Sequence, residues 1–367
     1  MLHSNMICLN MIVKNEAHVI SRCLESARPH IGRWCIVDTG STDGTQAKIR
    51  ELMAGIPGEL HERPWVNFAH NRTEALELAK SGGGGYALFL DADDVLHVDS
   101  DSCDIRHNGA DAYHLEIRSN GCIENVYWRT GIINLEKRWK WTGVVHEYLE
   151  CADPFKLDRM HGWVVHTMND SARNRDGLKK YLRDAAVLES ALIDDPSNVR
   201  YVFYLAQSYR DARCHDRALY FYRKRATMGG FEEEAWYALY QVACMHEVLG
   251  HVDDALLGYL AAFDRRPSRA EPLYAAAKLA RREKRWGAAL VFSRTAMGIK
   301  VPERDVLFIN KSMYEWRALD EYAVAASWTN HMPDAIRVFD SILLCPSLPD
   351  ADRSRIESNL AHCKKHT

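Results

Sequence analysis

The sequence lacks three features that would place it in a narrow class: an excess of one charge sign, a long apolar run and a closely spaced cysteine pair. Its 367 residues carry 47 Lys and Arg against 50 Asp and Glu, a formal net charge of −3. This balance argues against a dedicated nucleic-acid-binding or membrane-surface protein, so nucleic acid is a disfavoured partner, although a local basic patch stays open. No run approaches 18 consecutive apolar residues, and no transmembrane segment is expected.

The ten cysteines are scattered singly, and none belongs to a Cys-x-x-Cys motif. The amino terminus also lacks a charged segment followed by a long apolar one, the pattern of a secretory leader. Thiols in such a chain are expected to be reduced, which predicts a cytoplasmic protein.

Over the first 170 residues, short apolar runs alternate with segments of helical periodicity. The apolar runs predict strands over 6–13, 34–37 and 86–90, and the helical spacing predicts helices over 18–27, 46–53 and 71–80. Strands that alternate with helices of this length are typical of a mostly parallel, three-layer α/β sheet. Residues 1–170 are therefore expected to form one α/β domain.

From about residue 171 the strand signals vanish and helical periodicity continues almost to the end. One helix start recurs, and its alanine markers at 218, 255, 288 (or 289) and 335 are spaced by 37, 33 and 47 residues, so the last unit contains an insertion. Two helices per unit, about 34 residues per unit and an alanine where helices cross resemble tetratricopeptide repeats. Residues 171–367 are thus predicted to be a helical repeat domain, with an irregular helical domain as the alternative.

Residues 88–94 carry the most chemical information, because an apolar run there ends in carboxylates. The run predicts a buried strand, and acids at its carboxyl end would lie where open α/β sheets bind ligands. Asp91 and Asp93 offer hard oxygen ligands that suit Mg²⁺ or Mn²⁺, with water and phosphate oxygens completing the shell. A solvated acidic turn is the alternative.

Other polar groups would reach the same edge of a doubly wound sheet: Asn15 with Glu16, Asp38 with Asp43, and Asn71 with Arg72. An aspartate there can accept from a base imide N–H or a ribose hydroxyl, and an arginine can reach phosphate with its planar fork of donors. A nucleoside diphosphate is the ligand that unites these groups with a divalent cation.

The four blocks together resemble the inverting family 2 glycosyltransferases, which have the GT-A fold. The matching stretches are Met-Ile-Val-Lys-Asn-Glu at 11–16, Ile-Val-Asp-Thr-Gly-Ser-Thr-Asp-Gly-Thr at 36–45, Phe-Ala-His-Asn-Arg at 68–72 and Leu-Asp-Ala-Asp-Asp at 90–94. The resemblance covers roughly residues 5–170 and extends to the repeats, since some members carry a tetratricopeptide-like carboxyl half. It implies a metal-dependent hexosyltransferase that takes a UDP-sugar, UDP-glucose being favoured, with Mn²⁺ or Mg²⁺ as cofactor.

By this likeness Asp38 would contact the uracil or ribose, and Asp43 would shape the adjoining loop or assist in that contact. Arg72 would approach the base or the diphosphate. Asp91 and Asp93 would form the Asp-x-Asp metal motif, with Asp93 the more direct ligand. The other donor-site positions that the resemblance implies are Val13, Asn15, Glu16, Asn71 and Ala92. The catalytic half is short, so the repeats would have to complete the acceptor region, and the acidic catalytic signature of longer members is not evident.

Inverting transfer needs a base to take the acceptor's proton. The stretch Trp-Lys-Trp-Thr-Gly-Val-Val-His-Glu at 139–147 resembles the Trp-x-Gly-x-x-His-Glu stretch of repeat-bearing family 2 enzymes. It implies Glu147 as the base, with His146 as the alternative or as a group that orients it; a surface-strand pair is the purely structural interpretation. Trp139 and Trp141 would stack on a sugar or belong to the core.

His166 ends another apolar run, and the resemblance implies that it completes the metal shell, although a histidine after an apolar run is more often structural. Residues 167–176, which include Arg173 and Arg175, are polar and would close over the diphosphate or serve as a linker.

Other functions stay open at this stage. A nucleotidyltransferase would use the same metal site but release pyrophosphate, and a repeat-based scaffold would carry an inactive transferase domain. The repeats would bind a protein, peptide or glycan acceptor, recruit a partner, or only rigidify the enzyme. Exposed repeat ends also permit a homo-oligomer.

Overall fold

The computed structural model describes residues 7–99, 109–119, 126–172 and 177–366. The chain divides into two compact units. The main part of the second unit begins at Asp195, directly after helix α4 (Leu178–Asp194). The boundary predicted at residue 170 lies earlier, where the sequence changes character, and it stays a prediction. Arg173 and Arg175 lie outside the described residues.

The first unit is built on an eight-stranded sheet with the order β3-β2-β1-β4-β7-β6-β10-β5, and β8 and β9 form a separate two-stranded ribbon. The helices before α4 are α1 (Ile20–Ala27), α2 (Thr45–Leu52) and α3 (Phe68–Ser81). The strands are β1 (Ile7–Val13), β2 (Arg33–Asp38), β3 (Gly58–Glu62), β4 (Tyr86–Phe89), β5 (Asp94–Val98), β6 (Ala112–Ser119), β7 (Val126–Asn134), β8 (Trp139–Thr142), β9 (Tyr148–Cys151) and β10 (Leu157–Thr167).

Strand β1 lies between β2 and β4 and is parallel to both, and it is covered by helices on both faces. Leu9 and Met11 join one core cluster with residues of α1 and α2, whereas Cys8 joins the cluster that contains Leu76 of α3. Successive strand residues point to opposite faces, so a strand buried on both faces must be apolar throughout, as β1 nearly is. The predicted three-layer α/β arrangement is confirmed here.

The prediction of a mostly parallel sheet holds only for part of it. Strand β7 is antiparallel to both β4 and β6, and β5 is antiparallel to β10. Strands β6 and β10 are parallel to each other, with an irregularity between Arg159 and Val164. Strands β5, β7 and β10, which form these antiparallel pairs, begin at Asp94 or later, beyond 86–90, the last individual strand that the sequence predicted.

The second unit consists of helix hairpins in sequence. The hairpins pair α5 (Val199–Asp211) with α6 (His215–Thr227), α7 (Glu232–Val248) with α8 (Val252–Arg265), α9 (Glu271–Arg282) with α10 (Trp286–Ala296), and α11 (Ala318–Ser327) with α12 (Met332–Leu343), and α13 (Asp350–Lys365) follows. The marker alanines Ala218, Ala255, Ala289 and Ala335 each stand three residues after the start of the second helix, and all are buried. The predicted repeat is confirmed, with Ala289 as the third marker.

The hairpin turns share one backbone geometry, which we call the repeat frame. One residue just before the second helix has a positive φ: Arg213, Gly250, Lys284 or Asn330. The following residue donates its backbone N–H to a carbonyl five residues earlier, as in Cys214 to Tyr209, His251 to His246, Arg285 to Ala280 and His331 to Ala326. Side chains at these positions therefore occupy equivalent places in all four hairpins.

The predicted insertion is the long connection between α10 and α11. Arg269 is fully buried and holds this connection through Asp305 and the carbonyl oxygens of Leu307 and Phe308. It also pairs with Glu271 at 2.8 Å, so an extended segment is fixed by a buried network of charges.

Two expectations concern the chain as a whole. In the part of the chain that the structure describes, none of the helices combines the length and the apolar character that a membrane crossing needs. Eight cysteines fall within that part, and all of them are free thiols.

Candidate active site

The carboxyl ends of β1, β2 and β4 adjoin one another, and they position most of the predicted site. The loop after β2 is bonded to the residues after β1: Asn15, which has a φ of 57°, donates its N–H to Ser41 Oγ at 2.8 Å and accepts from the N–H of Thr42 at 2.8 Å. Asp43 accepts from the N–H of Ala17 at 3.0 Å. The two loops thus form one rigid rim.

Two predicted residues on this rim, Asp43 and Val13, accept hydrogen bonds that hold the loop after β2. Asp43 also accepts from the N–H and the hydroxyl of Thr45, at 3.1 and 2.5 Å, at the start of α2. The carbonyl oxygen of Val13 accepts from both the N–H and the hydroxyl of Thr39. These contacts hold the loop in place, and the role of Asp43 at the donor site stays a prediction.

Asp38 is 1% exposed and its two carboxylate oxygens differ. Oδ1 accepts from the N–H groups of Gly40 and Ser41 at 2.9 and 2.8 Å and from Gln46 Nε2 at 3.1 Å. Oδ2 is buried and has no hydrogen-bond partner in the structure. A buried acceptor without a donor is costly, so this oxygen marks a place where a donor is missing.

The acidic turn after β4 is held by its own backbone. The N–H of Asp91 donates to Asp94 Oδ2 at 2.9 Å, and the N–H of Asp94 donates to the carbonyl of Asp91 at 3.0 Å. Ala92 is buried between the two acids of the Asp-x-Asp motif, and Asp93 is only 7% exposed. The turn is therefore a fixed part of the site rather than a solvated loop.

Arg72, in the first turns of α3, connects the acidic turn with the predicted base. Its Nη2 donates to Asp91 Oδ1 at 2.5 Å and its Nε donates to Glu147 Oε1 at 2.6 Å. The guanidinium also lies over the ring of Trp141, 5.2 Å from the ring centre. Two segments that lie far apart in the sequence thus meet on one side chain, which we call the Arg72 clamp.

Arg129 on β7 belongs to the same charge cluster, although no sequence pattern predicts it there. Its Nη1 lies 3.6 Å from Asp91 Oδ2, and its Nη2 lies 3.4 Å from Asp94 Oδ2. Burial would raise the pKa of Asp91, but the charges of Arg72 and Arg129 outweigh burial and hold that pKa below its usual range. Burial and the charge of Asp91 raise the pKa of Asp94. No motif surrounds Arg129; only the pairing of β7 with β4 brings it here.

The segment 168–172 crosses this rim. The N–H of Ser171 donates to Asp93 Oδ2 at 3.1 Å, and the N–H of Ala172 donates to Glu16 Oε2 at 3.1 Å. Asp170 forms a two-pronged ion pair with Arg22. Burial, with a smaller contribution from the charge of Asp93, raises the pKa of Glu16 to about 7. The described part of the segment 167–176, predicted to close over the diphosphate or to be a linker, thus contacts the acidic residues directly.

Four predicted residues take other places. Asn71 is buried, and its amide bonds the N–H of Val66 and the carbonyl of Pro64, so it supports the loop before α3. Trp139 is 3% exposed and belongs to the core, with its indole N–H on the carbonyl of Asn134. His146 is exposed and has a φ of 53°.

His166 is the fourth, and it alternates along β10 with Val165, whose side chain lies in the core cluster over α1. Its ring lies 6.5 Å from that of His97, and burial lowers its pKa. Among the described residues, the ligand atoms of Asp91, Asp93 and His166 do not form a three-residue group within 4.8 Å. The metal role of His166 stays a prediction that this arrangement does not support.

The family model described as "Glycosyl transferase family 2" matches residues 8–140. A TPR repeat-containing protein of Synechococcus elongatus is 34% identical over 94 residues, which are 26% of this chain. The chain spans about a fifth of the length of that curated relative, 22%.

Solved structures also match this chain. The MamA structure has a TM-score of 0.38 at 15% identity and covers 48% of this chain and 95% of its own. A tetratricopeptide repeat protein from Parabacteroides merdae has a TM-score of 0.38 at 16% identity and covers 50% of this chain and 66% of its own.

The matched range contains the rim, the acidic turn, Arg72 and Arg129, which are the parts of the site that the contacts above bring together. It ends before Glu147 and the segment 168–172. Residues 8–140 are a glycosyl transferase family 2 domain with the α/β architecture of the GT-A fold, and the same chain carries tetratricopeptide-like helical repeats after it.

Proposed function

We propose that this protein is a metal-dependent, inverting glycosyltransferase that moves a sugar, with glucose favoured, from a UDP-sugar to an acceptor. The observation that carries the proposal is Asp38 Oδ2, a buried carboxylate oxygen without a donor at the carboxyl end of β2. The imide N–H of uracil or a ribose hydroxyl supplies such a donor. Three donors already fix Oδ1, so the carboxylate is oriented before the nucleotide arrives.

The acidic turn fits a magnesium or manganese ion. These cations take one or two carboxylates and complete their shell with water and substrate phosphate, so they do not need a closed set of three protein ligands. Asp93, with Asp91, would hold the ion, and the ion would neutralise charge on the leaving diphosphate. Asp91 shares its oxygens with Arg72 and Arg129, so Asp93 is the better candidate for the direct ligand.

The two arginines supply fixed positive charge beside the acidic turn. Arg72 is 12% exposed and Arg129 is 36% exposed, so both keep donors close to the place where the diphosphate would lie. Preorganised charge directed at a leaving group is commonly the largest catalytic contribution. Arg72 and Arg129 are therefore proposed to stabilise UDP as it departs.

Glu147 is the proposed base. It is 11% exposed and is held by Arg72, which places it in the same cluster as the acidic turn. Inverting transfer requires the acceptor's proton to be removed as the acceptor attacks the sugar carbon from the face opposite the diphosphate. The acceptor would be a protein, peptide or glycan, and the helical repeats offer an extended surface that could hold it.

The test is UDP release from a panel of UDP-sugars, with and without Mn²⁺, together with calorimetric titration of UDP. Asp38→Asn keeps the shape of the side chain but can place an NH₂ group, which only donates, where Oδ2 accepts. The affinity for UDP should then fall by about 10- to 100-fold, which corresponds to the loss of one hydrogen bond to a charged group. Asp153→Asn, at an exposed ion pair with Arg138, is the matched control and should bind UDP normally.

The outcomes separate the candidate functions. Metal-dependent UDP release with one sugar supports the transferase, and release of pyrophosphate from a nucleoside triphosphate would support a nucleotidyltransferase instead. If no UDP-sugar in the panel releases UDP, and calorimetry detects no binding of UDP, a repeat-based scaffold would be favoured. Equal UDP affinity in Asp38→Asn and wild type would contradict the role given to Asp38.

A further inference from the structure

Three metal-ligating side chains meet at the turn between α7 and α8, outside the transferase unit. His246 lies in the last turn of α7, His251 precedes α8 and Asp254 lies in the first turn of α8. His246 Nδ1 lies 3.2 Å from His251 Nδ1 and 3.9 Å from Asp254 Oδ2. One ligand atom from each residue falls within 4.8 Å of the others, the one such group among the described residues.

The repeat frame explains why the three residues converge. His251 donates its N–H to the carbonyl of His246, the bond that recurs in every hairpin turn of the repeat unit. The equivalent triplets in the other turns are Tyr209, Cys214 and Arg217; Ala280, Arg285 and Ala288; and Ala326, His331 and Asp334. Only the α7–α8 turn carries metal-ligating side chains at all three places, so the backbone is shared and the chemistry is specific to this turn.

We propose that His246, His251 and Asp254 form a site for a transition metal of the Zn²⁺ class. Zn–N bonds of about 2.0–2.1 Å in a tetrahedron place neighbouring ligand atoms about 3.3 Å apart. The two imidazole nitrogens already lie at 3.2 Å, and the carboxylate of Asp254, at 3.9 Å from His246 Nδ1, would have to move closer. Two imidazoles and one carboxylate suit Zn²⁺, Ni²⁺ or Cu²⁺ better than Mg²⁺, which prefers oxygen ligands. Three protein ligands leave one position for water.

Arg223 on α6 disfavours metal binding by His246. Its Nη2 lies 2.8 Å from His246 Nε2. Arginine only donates, so Nε2 accepts and the proton of neutral His246 must be on Nδ1, the atom that faces His251. Metal binding through Nδ1 displaces that proton and requires the ring to carry it on Nε2, which breaks the bond to Arg223. Arg223 thus lowers the affinity of the site through the tautomer of His246.

This opposition gives a test that adventitious metal binding would not pass. Arg223→Gln removes the charge and supplies an amide oxygen that can accept from Nε2–H, so it should tighten Zn²⁺ binding by about 10-fold, the usual size of a change in a ligand's hydrogen-bond partner. His251→Ala removes a ligand and should weaken binding by at least about 100-fold, the upper end of what the loss of a ligand's hydrogen-bond partner costs.

The experiment uses the untagged full-length chain, freed of metal with a chelator. Zn²⁺ is titrated by calorimetry, and Co²⁺ is titrated by visible absorption, since tetrahedral Co²⁺ absorbs strongly. His331→Ala is the matched control, because its turn has the same frame and lacks the third ligand; it should bind Zn²⁺ as wild type does. Circular dichroism verifies that each variant is folded.

Two outcomes support the site: one equivalent of Zn²⁺ that depends on His251, and tighter binding in Arg223→Gln. Metal binding that is unchanged in His251→Ala, or absent from both wild type and Arg223→Gln, would overturn it. A metal bound at the acidic turn of the transferase unit would survive His251→Ala, so the two sites are distinguishable.

Discussion

Replacing Arg72 by methionine should destabilise the transferase unit strongly. Methionine keeps much of the apolar stem but leaves Asp91 and Glu147 without the cation that both contact, at 2.5 and 2.6 Å. Burial of Glu147, which is 11% exposed, makes water a poor substitute for the lost partner.

The magnitude follows from the exposure of the two carboxylates. Removing one partner of a buried ion pair costs about 3–5 kcal/mol. Asp91 is 39% exposed and keeps Arg129 at 3.6 Å, so its share is small and Glu147 should dominate. We therefore expect the free energy of unfolding to fall by about 3 kcal/mol, near the lower end of that range.

Urea unfolding followed by tryptophan fluorescence measures this loss. With a slope of about 1–3 kcal/mol per molar urea, the midpoint should shift by roughly 1–3 M. Arg63→Met is the control, because the Arg63–Glu74 pair has a similar 2.9 Å separation but is 37% and 31% exposed. Its loss should cost about 0–1 kcal/mol.

A second substitution separates the charge effect from lost packing. Glu147→Gln in the Arg72→Met background removes the stranded charge and should recover at least about 1 kcal/mol. The reasoning would be refuted if Arg72→Met and Arg63→Met cost the same, or if Glu147→Gln gave no recovery.

Three further predictions concern other parts of the chain. Asp93→Asn should reduce metal-dependent UDP release by about 100-fold or more while circular dichroism stays unchanged; normal turnover would remove Asp93 from the metal site. Burial, then the charge of Arg159, lowers the pKa of His114 to about 4 from 6.5, so the unfolded chain binds a proton that the folded chain refuses. The free energy of unfolding should thus fall as the pH drops from about 6.5 to 4, and urea titrations of His114→Gln should show a flatter profile over that range. Arg269→Met should destabilise the repeat unit by about 3–5 kcal/mol, whereas Arg285→Met, at an exposed pair, should cost under about 1 kcal/mol in the same thermal scan.

The sequence predicted those parts of the site that depend on local order along the chain. Asp38, Asp91 and Asp93 follow apolar runs, and parallel strands bring such positions to one edge of a sheet, so their meeting could be expected. The alanine in the first turn of each second repeat helix could likewise be predicted, because its spacing is set by one hairpin after another.

What the sequence did not predict depends on long-range pairing. Arg129 reaches the acidic turn only because β7 inserts antiparallel beside β4, and nothing in its neighbourhood signals that pairing. Asn71 lies next to Arg72 in one of the stretches that resemble family 2 glycosyltransferases, yet its amide forms hydrogen bonds with the loop before α3. Adjacent residues on a helix face different directions, so one belongs to the site and the other supports it.

The bonds from the segment 168–172 have a consequence for genetics. The groups that reach Asp93 and Glu16 are the backbone N–H groups of Ser171 and Ala172, which every residue except proline possesses. Replacing Ser171 or Ala172 by any residue other than proline would therefore leave both of these bonds in place, whereas replacing either acid would remove one. Proline alone would expose this attachment, so tolerance of Ser171 and Ala172 to all other residues would be no evidence that the segment is dispensable.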